Sequence, residues 1–370
     1  MLTPTHLSEA MRMVGRSLFV KKHSTFKYPG TAEEICRKII SDCWNKRHNY
    51  LQASNGHFCE FYTRDFGFCT EALMKLGYED KVHATLKYAL SRFSRKGRIT
   101  TAITPDGKPF DFPYQAVESL PFIVHSLRLA GAKDLLDQFS GLLANDIKRY
   151  FEEIFDRKTC LVRADRHFSS MRDYAKRRSA TYDNCMLAML KDDLEQLNFY
   201  NPFHDYDIKA AIKQNLWNEK YFYDDLRKEN IVTGDANVFP FWTGVFNSRS
   251  KFKSCLEAMQ RAKLDRPFPL RYSSRHASNL IFLDNFVSGY EDTTVWTHLG
   301  MCFLDVIKEL RKSELRPYLE QYARIIEQNR NFLEVFDESG KPFQTRFYYS
   351  DEGMVWASKY LYLSTNTTPG

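Results

Sequence analysis

The chain has 370 residues, 43% hydrophobic and 27% charged, the balance of a globular protein with a large core. A net charge of +7 is mild at this length; with no basic tail, Gly/Arg tract or recognition-module signature, no nucleic-acid partner is expected. Eight scattered cysteines without a C-x-x-C pair, no long apolar run at the N-terminus and no stretch near the roughly 20 apolar residues of a membrane span point to a cytoplasmic protein with no membrane partner.

Residues 1 to 30 read as an N-terminal arm, and 31 to 370 as one domain. Thr31-Ala32-Glu33-Glu34 opens a helix with a Thr cap and a Glu three residues on, and Ile35, Ile39, Ile40, Cys43 and Trp44 then form one apolar face. Helical periodicity continues over residues 66–76, 79–93, 115–129, 133–154, 180–197, 206–216, 236–246, 251–262, 294–310, 315–326 and 350–363. These make twelve helices in six pairs. Tight turns such as Gly77-Tyr78, Gly131-Ala132, Asn247-Ser248 and Arg311-Lys312 alternate with long connections at 54–65, 97–114, 156–179, 217–235, 264–292 and 332–349. Long loops inside a compact domain are commonly functional. The alternation predicts an all-α toroid of six helical hairpins, (α/α)6, with the long loops converging on one face. No fixed-period self-similarity supports a solenoid instead.

Four loop passages concentrate acids and aromatics. Phe61-Tyr62-Thr63-Arg64-Asp65-Phe66-Gly67 places an ion pair between rings at a helix start; Asp65 either caps that helix or, with Arg64, binds ligand hydroxyls over Tyr62 and Phe66. Glu118 falls in the first turn of the helix at 115–129, where it either answers the helix dipole, which favours a carboxylate there, or binds substrate. Asp173 sits in the basic loop His167-Phe168-Ser169-Ser170-Met171-Arg172-Asp173-Tyr174-Ala175-Lys176-Arg177-Arg178-Ser179, and Arg172 would depress its pKa if the side chains met. Glu334 lies in the apolar run Leu333-Glu334-Val335-Phe336, where burial would raise its pKa as acid/base chemistry requires; Glu352 is an alternative base. Two carboxylates on loops of one face are what glycoside hydrolysis needs, one to protonate the leaving oxygen and one to activate water or attack. The ten histidines do not cluster at ligand spacing, and neither a phosphate-cradling glycine loop nor a G-x-S-x-G elbow occurs, so no metal, no cofactor and no Ser or Cys nucleophile is expected.

With these passages the chain resembles the six-hairpin glycosidases, closest to the clan of trehalases, processing α-glucosidases and glucosylglycerate or mannosylglycerate hydrolases, with amylo-α-1,6-glucosidases near. The resemblance covers about residues 55 to 365. It implies that Asp173, in Ser169-Ser170-Met171-Arg172-Asp173, is the general acid and that Glu334, in Glu334-Val335-Phe336-Asp337-Glu338-Ser339-Gly340, is the general base. It further implies sugar contacts from Arg64 and Asp65, from Trp296 after Glu291-Asp292-Thr293-Thr294-Val295, and from Trp356 in Gly353-Met354-Val355-Trp356. The expected function is an inverting hydrolase of an α-glucosidic or related linkage in a small saccharide. The alternatives are a non-hydrolytic sugar-binding protein or epimerase of the same architecture, or a helical scaffold.

Overall fold

The structure, a computed structural model, describes residues 3–276, 280–281 and 287–365. Parts of the long connection at 264–292, namely 277–279 and 282–286, lie outside the described residues. Fourteen α-helices occur among the described residues: α1 Pro4–His23, α2 Ala32–Asp42, α3 Thr63–Lys75, α4 Glu79–Lys96, α5 Ser119–Leu129, α6 Lys133–Gln138, α7 Ser140–Glu153, α8 Thr181–Gln196, α9 Ile208–Leu216, α10 Gly234–Trp242, α11 Arg249–Arg261, α12 Thr297–Leu310, α13 Leu315–Asn329 and α14 Ala357–Thr365.

Six of them form an inner ring. α3 packs on α5, α5 on α8, α8 on α10, α10 on α12, α12 on α14, and α14 back on α3. The ring closes, so the architecture is the expected all-α (α/α)6 toroid. Close approach is built in: a Cβ on Gly67 of α3 would lie 2.3 Å from the Phe122 ring of α5. α2, α4, α6 with α7, α9, α11 and α13 form the outer layer. The segments entering the inner helices are long, and short antiparallel strand pairs stiffen them: Phe61–Tyr62 with Ala102–Ile103, Phe155–Asp156 with Leu161–Val162, and Val295–Trp296 with Val335–Phe336. The N-termini of the six inner helices therefore share one face with the long loops.

The cap at Thr31 forms as expected: the Glu34 N–H donates to the Thr31 hydroxyl at 3.4 Å and the Thr31 N–H to Glu34 Oε2 at 2.8 Å, while Ile35, Cys36, Ile39 and Ile40 are buried. Within the arm, Thr3 caps α1, Pro4 occupies its first turn, and His6 closes a second capping box. Three expectations need correction. The helix expected over 133–154 breaks at Phe139 into α6 and α7. α5, α12 and α14 begin later than their apolar patterns suggest, because residues 115–118, 294–296 and 350–356 approach in extended or turn conformations that bond to neighbouring loops. Glu118 is consequently the N-cap residue of α5 and not part of its first turn. Among the described residues no helix is long and apolar enough to cross a membrane.

Candidate active site at the inner-helix N-termini

Polar side chains collect where the inner helices begin. Arg64 and Asp65 open α3, Glu118 caps α5, Asp183 opens α8, Asp235 opens α10 and His298 opens α12; all but Arg64 are less than a tenth exposed. The positive end of a helix dipole suits the four acids. Arg64 is the hub. Its Nη1 lies 3.0 Å from the Ser170 carbonyl, 3.3 Å from Glu118 Oε1 and 3.4 Å from Asp173 Oδ2. Its Nε is 4.0 Å from Asp65 Oδ2. Burial raises the Asp65 carboxyl to about 6 against the pull of Arg64, and raises Glu118 to about 7 although Arg64 opposes it and the Tyr182 hydroxyl donates to it.

Several atoms here are buried without a hydrogen-bond partner: Arg64 Nε, Asp183 Oδ1, Asp235 Oδ1 and His298 Nδ1. Such atoms are costly unless a ligand or water meets them. They offer both donors and acceptors, the complement of hydroxyl groups. Burial holds His298 well below its ordinary pKa, so it stays neutral, with Nε2 3.0 Å from the Tyr272 hydroxyl. Sequence reasoning missed Asp183, Asp235 and His298. Asp183 carried a signal, as an acid in the first turn of the helix expected at 180–197, and Asp235 a weaker one, directly before the helix expected at 236–246; His298 carried none.

The basic loop is arranged around Asp173. Asp173 is 8% exposed; burial raises its pKa, while Arg64 and the Ser170 N–H, 3.3 Å from Oδ1, pull it down. Arg172 points elsewhere: its Nε donates to the Glu291 carbonyl at 3.0 Å, and its Nη atoms lie 3.7 Å from Asp224 and 3.8 Å from Asp292. Arg177 is buried against Asp235 at 2.5 Å and Asp224 at 3.3 Å. The neighbouring arginines are thus bound to other acids, and the cation that touches Asp173 comes from α3.

Glu334 directly precedes the strand Val335–Phe336, which pairs with Val295–Trp296. The Tyr290 hydroxyl donates to its Oε1 at 2.6 Å; the Tyr348 hydroxyl and, at 3.3 Å, the Asp351 N–H donate to Oε2. Burial and the negative charge of Asp351 push the Glu334 carboxyl up to about 8, with the three donors opposing. Behind Tyr348 stands His57 Nε2 at 3.2 Å, whose Nδ1 is 3.3 Å from Asp351. A chain of rings connects the two loops: Tyr174, next to Asp173, lies 6.1 Å from Tyr290, and Tyr290 packs edge-on at 4.6 Å against Trp296. Glu291 is a further buried acid. It accepts the Tyr174 N–H at 2.6 Å, and burial followed by the charge of Asp173 raises its pKa.

The remaining expected residues divide. Trp296 donates to the Tyr290 carbonyl at 2.8 Å and packs on His298 at 4.9 Å, beside the polar ring. Trp356 also packs on His298, at 5.2 Å, but is fully buried with its N–H on Thr297 Oγ1 at 2.8 Å. Tyr62 belongs to a small satellite cluster with Ala53, Ala102 and Phe110. Glu352 faces the arm: it pairs with Arg16, accepts the Phe26 N–H at 2.6 Å and receives Asn331 Nδ2 at 3.3 Å.

Two surface clefts, of about 380 and 530 Å³, are lined by residues from 4–12 with 104–108 and from 220–232 with 258–275; neither includes Asp173 or Glu334. Among the described residues no group of three or more His, Cys, Asp or Glu could hold a metal ion.

Fold and site together define a six-hairpin toroid with buried carboxyls and aromatic rings at the mouth of its inner ring. Solved structures share the fold. A rhamnosidase from Klebsiella oxytoca with rhamnose bound matches with a TM-score of 0.64 and 9% identity over 91% of this chain; the chain spans 65% of that protein's length. A wild-type glycosidase matches with a TM-score of 0.65, 11% identity, and 90% and 96% of the two chains covered. A mannosylglycerate hydrolase from Thermus thermophilus in complex with glucose matches with a TM-score of 0.64, 12% identity, and 90% and 100% covered. At these identities the likeness is one of fold. No protein-family model and no curated protein sequence matches the chain.

Proposed function

We propose that the chain is an inverting glycoside hydrolase, acting in the cytoplasm on an α-glucosidic or related linkage of a small saccharide through residues 31–370. The observation that carries this is a pair of buried carboxyls, Asp173 and Glu334, held on separate long loops beside unpaired donors and acceptors at the inner-helix N-termini. Three neighbours of the same fold are a rhamnosidase, a glycosidase and a mannosylglycerate hydrolase, one with rhamnose bound and one in complex with glucose.

In this reading Asp173 protonates the glycosidic oxygen and Glu334 takes a proton from the attacking water. Arg64 Nε, His298 Nδ1, Asp183 and Asp235 meet sugar hydroxyls, and Trp296 forms the apolar wall. Tyr290 and Tyr348 fix the Glu334 carboxylate and stabilise its charged form, which a base must supply. Trp356, Tyr62 and Glu118 support the residues in contact. Glu352 is set aside as base because its oxygens hold the arm.

One observation favours exchanging the two roles. A cation, Arg64, touches Asp173, whereas Glu334 is bonded by tyrosine hydroxyls and a peptide N–H. Glycosyl fluorides separate the assignments, since fluoride leaves without protonation. Asp173→Asn is expected to keep activity on a fluoride while losing it on an alkyl glycoside; Glu334→Gln is expected to lose both by orders of magnitude. The opposite pattern assigns the roles the other way. Wild-type protein that binds sugars and releases none is a binding protein or epimerase.

A further inference from the structure

Helix α1 is amphipathic in the reverse of the usual sense. Its inward face is largely polar: Arg12 pairs with Glu9 and Glu60, Arg16 pairs with Glu352, and Ser17 is buried, with Val20 the one buried apolar residue of the helix. Its outward face is apolar. Leu7, Met11 and Leu18 are half or more exposed, at i, i+4 and i+11, with half-buried Val14 completing the stripe at i+7. Gly15 beside it meets nothing within 4 Å. Phe19 and Phe26 are as exposed, and Phe347 adjoins them, because Lys21 donates to the backbone carbonyls of Thr345 and Arg346. Six of the eight large apolar side chains that stand exposed among the described residues belong to this one region. Concentrated exposed apolar surface marks an interaction site.

The charge around it selects the partner. The arm carries Arg12, Arg16, Lys21, Lys22 and Lys27 against a single carboxylate, Glu9, which is buried on Arg12. Lys21 and Lys22 border the apolar stripe, and the outward positions of α1 hold no acid. A second copy would fit poorly. A parallel pair of α1 helices would set Lys21 and Lys22 against themselves, and an antiparallel pair would set them against the positive end of the other helix, which has no acid in its first turn. An apolar stripe bordered by lysines suits a bilayer with anionic headgroups, where the apolar side chains enter the interface and the lysines lie among the phosphates.

We propose that the outward face of α1, with Phe26 and Phe347, docks this protein peripherally on an anionic membrane surface. No helix spans the bilayer in this arrangement. Docking revises the expectation that no membrane takes part, and it is independent of the hydrolase reading.

The test is sedimentation of the full chain with phosphatidylcholine vesicles, with and without about one-third phosphatidylserine. The expected result is binding to the anionic vesicles, weakened by salt, and reduced roughly tenfold or more in Leu18→Gln/Phe19→Gln with an unchanged circular dichroism melt. Lys21→Gln/Lys22→Gln should lose the preference for phosphatidylserine. Absence of binding overturns the proposal, as does binding indifferent to these variants. Self-association that the Leu18/Phe19 variant abolishes, without vesicle binding, overturns it in favour of a second copy.

Discussion

Tyr348→Phe removes one atom from the shell that fixes Glu334. The Tyr348 hydroxyl donates to Glu334 Oε2, and Tyr290 and the Asp351 N–H supply the other two bonds. A hydrogen bond to a charged group contributes roughly 1.5–3 kcal/mol, equivalent to about one to two pKa units. Glu334 stands at about 8 because burial and Asp351 outweigh the three donors. Losing one donor moves it further up by that amount. At pH 7 the ionised share then falls from about one-tenth to between about one-hundredth and one-thousandth. The acidic limb of kcat/KM, which reports the free enzyme, should shift one to two units alkaline, and kcat/KM at pH 7 should fall about tenfold to a hundredfold, recovering at higher pH. Asp351→Asn supplies the opposite sign, since it removes a charge that raises Glu334, although its single amide oxygen can accept only one of the two bonds now made by the His57 and Phe58 N–H groups. A limb that stays in place in Tyr348→Phe, with kcat/KM at pH 7 unchanged, refutes the assignment of Glu334 as the ionised base.

Three further outcomes follow from the same geometry. Glu334→Gln should stabilise the protein at alkaline pH: the native carboxyl titrates at about 8 against 4.5 for the free group, so wild-type stability is intact below 4.5 and declines as pH rises through 8, by an order of a few kcal/mol. Thermal melts should show the variant's advantage growing across that window and levelling off above it. Arg64→Met leaves Glu118 and Asp173 without their shared cation; stability near neutral pH should fall by roughly 3–5 kcal/mol and kcat/KM by more than tenfold, measured by denaturant titration and steady-state kinetics. Gly67→Ala drives a methyl group into Phe122 and should cost about 1–3 kcal/mol, lowering Tm by several degrees while sparing the pH profile.

The toroid was legible because alternating tight turns and long loops are a property of the chain itself. The inner helices declared themselves by apolar runs, but their starts did not: residues 115–118 and 350–356 carry helix-compatible side chains, and only loop partners such as Ser169 and Phe332 draw their backbones out of the helix. α1 was overlooked because the usual pattern seeks apolar residues facing a core, and this helix turns Glu9, Arg12 and Ser17 inward. Within the site, the identities of Asp173 and Glu334 could be singled out from sequence, yet the direction of Arg172 could not. Adjacent residues in a loop share no fixed side-chain orientation, and Arg172 is claimed by Asp224, Asp292 and the Glu291 carbonyl, all more than fifty residues away. The same holds for Glu352, whose partners Arg16 and Phe26 sit at the opposite end of the chain. Glu291, Tyr290 and Tyr348 gain their significance only once residues 174, 334 and 351 are brought beside them.

The most direct test of the central claim is proton NMR of the sugar anomer released when wild-type protein acts on a panel of α-glucosides and related glycosides. The account predicts release of the anomer of inverted configuration, followed by mutarotation, and no release by Glu334→Gln. Retained configuration, undiminished turnover in Glu334→Gln, or no hydrolysis of any member of the panel contradicts it.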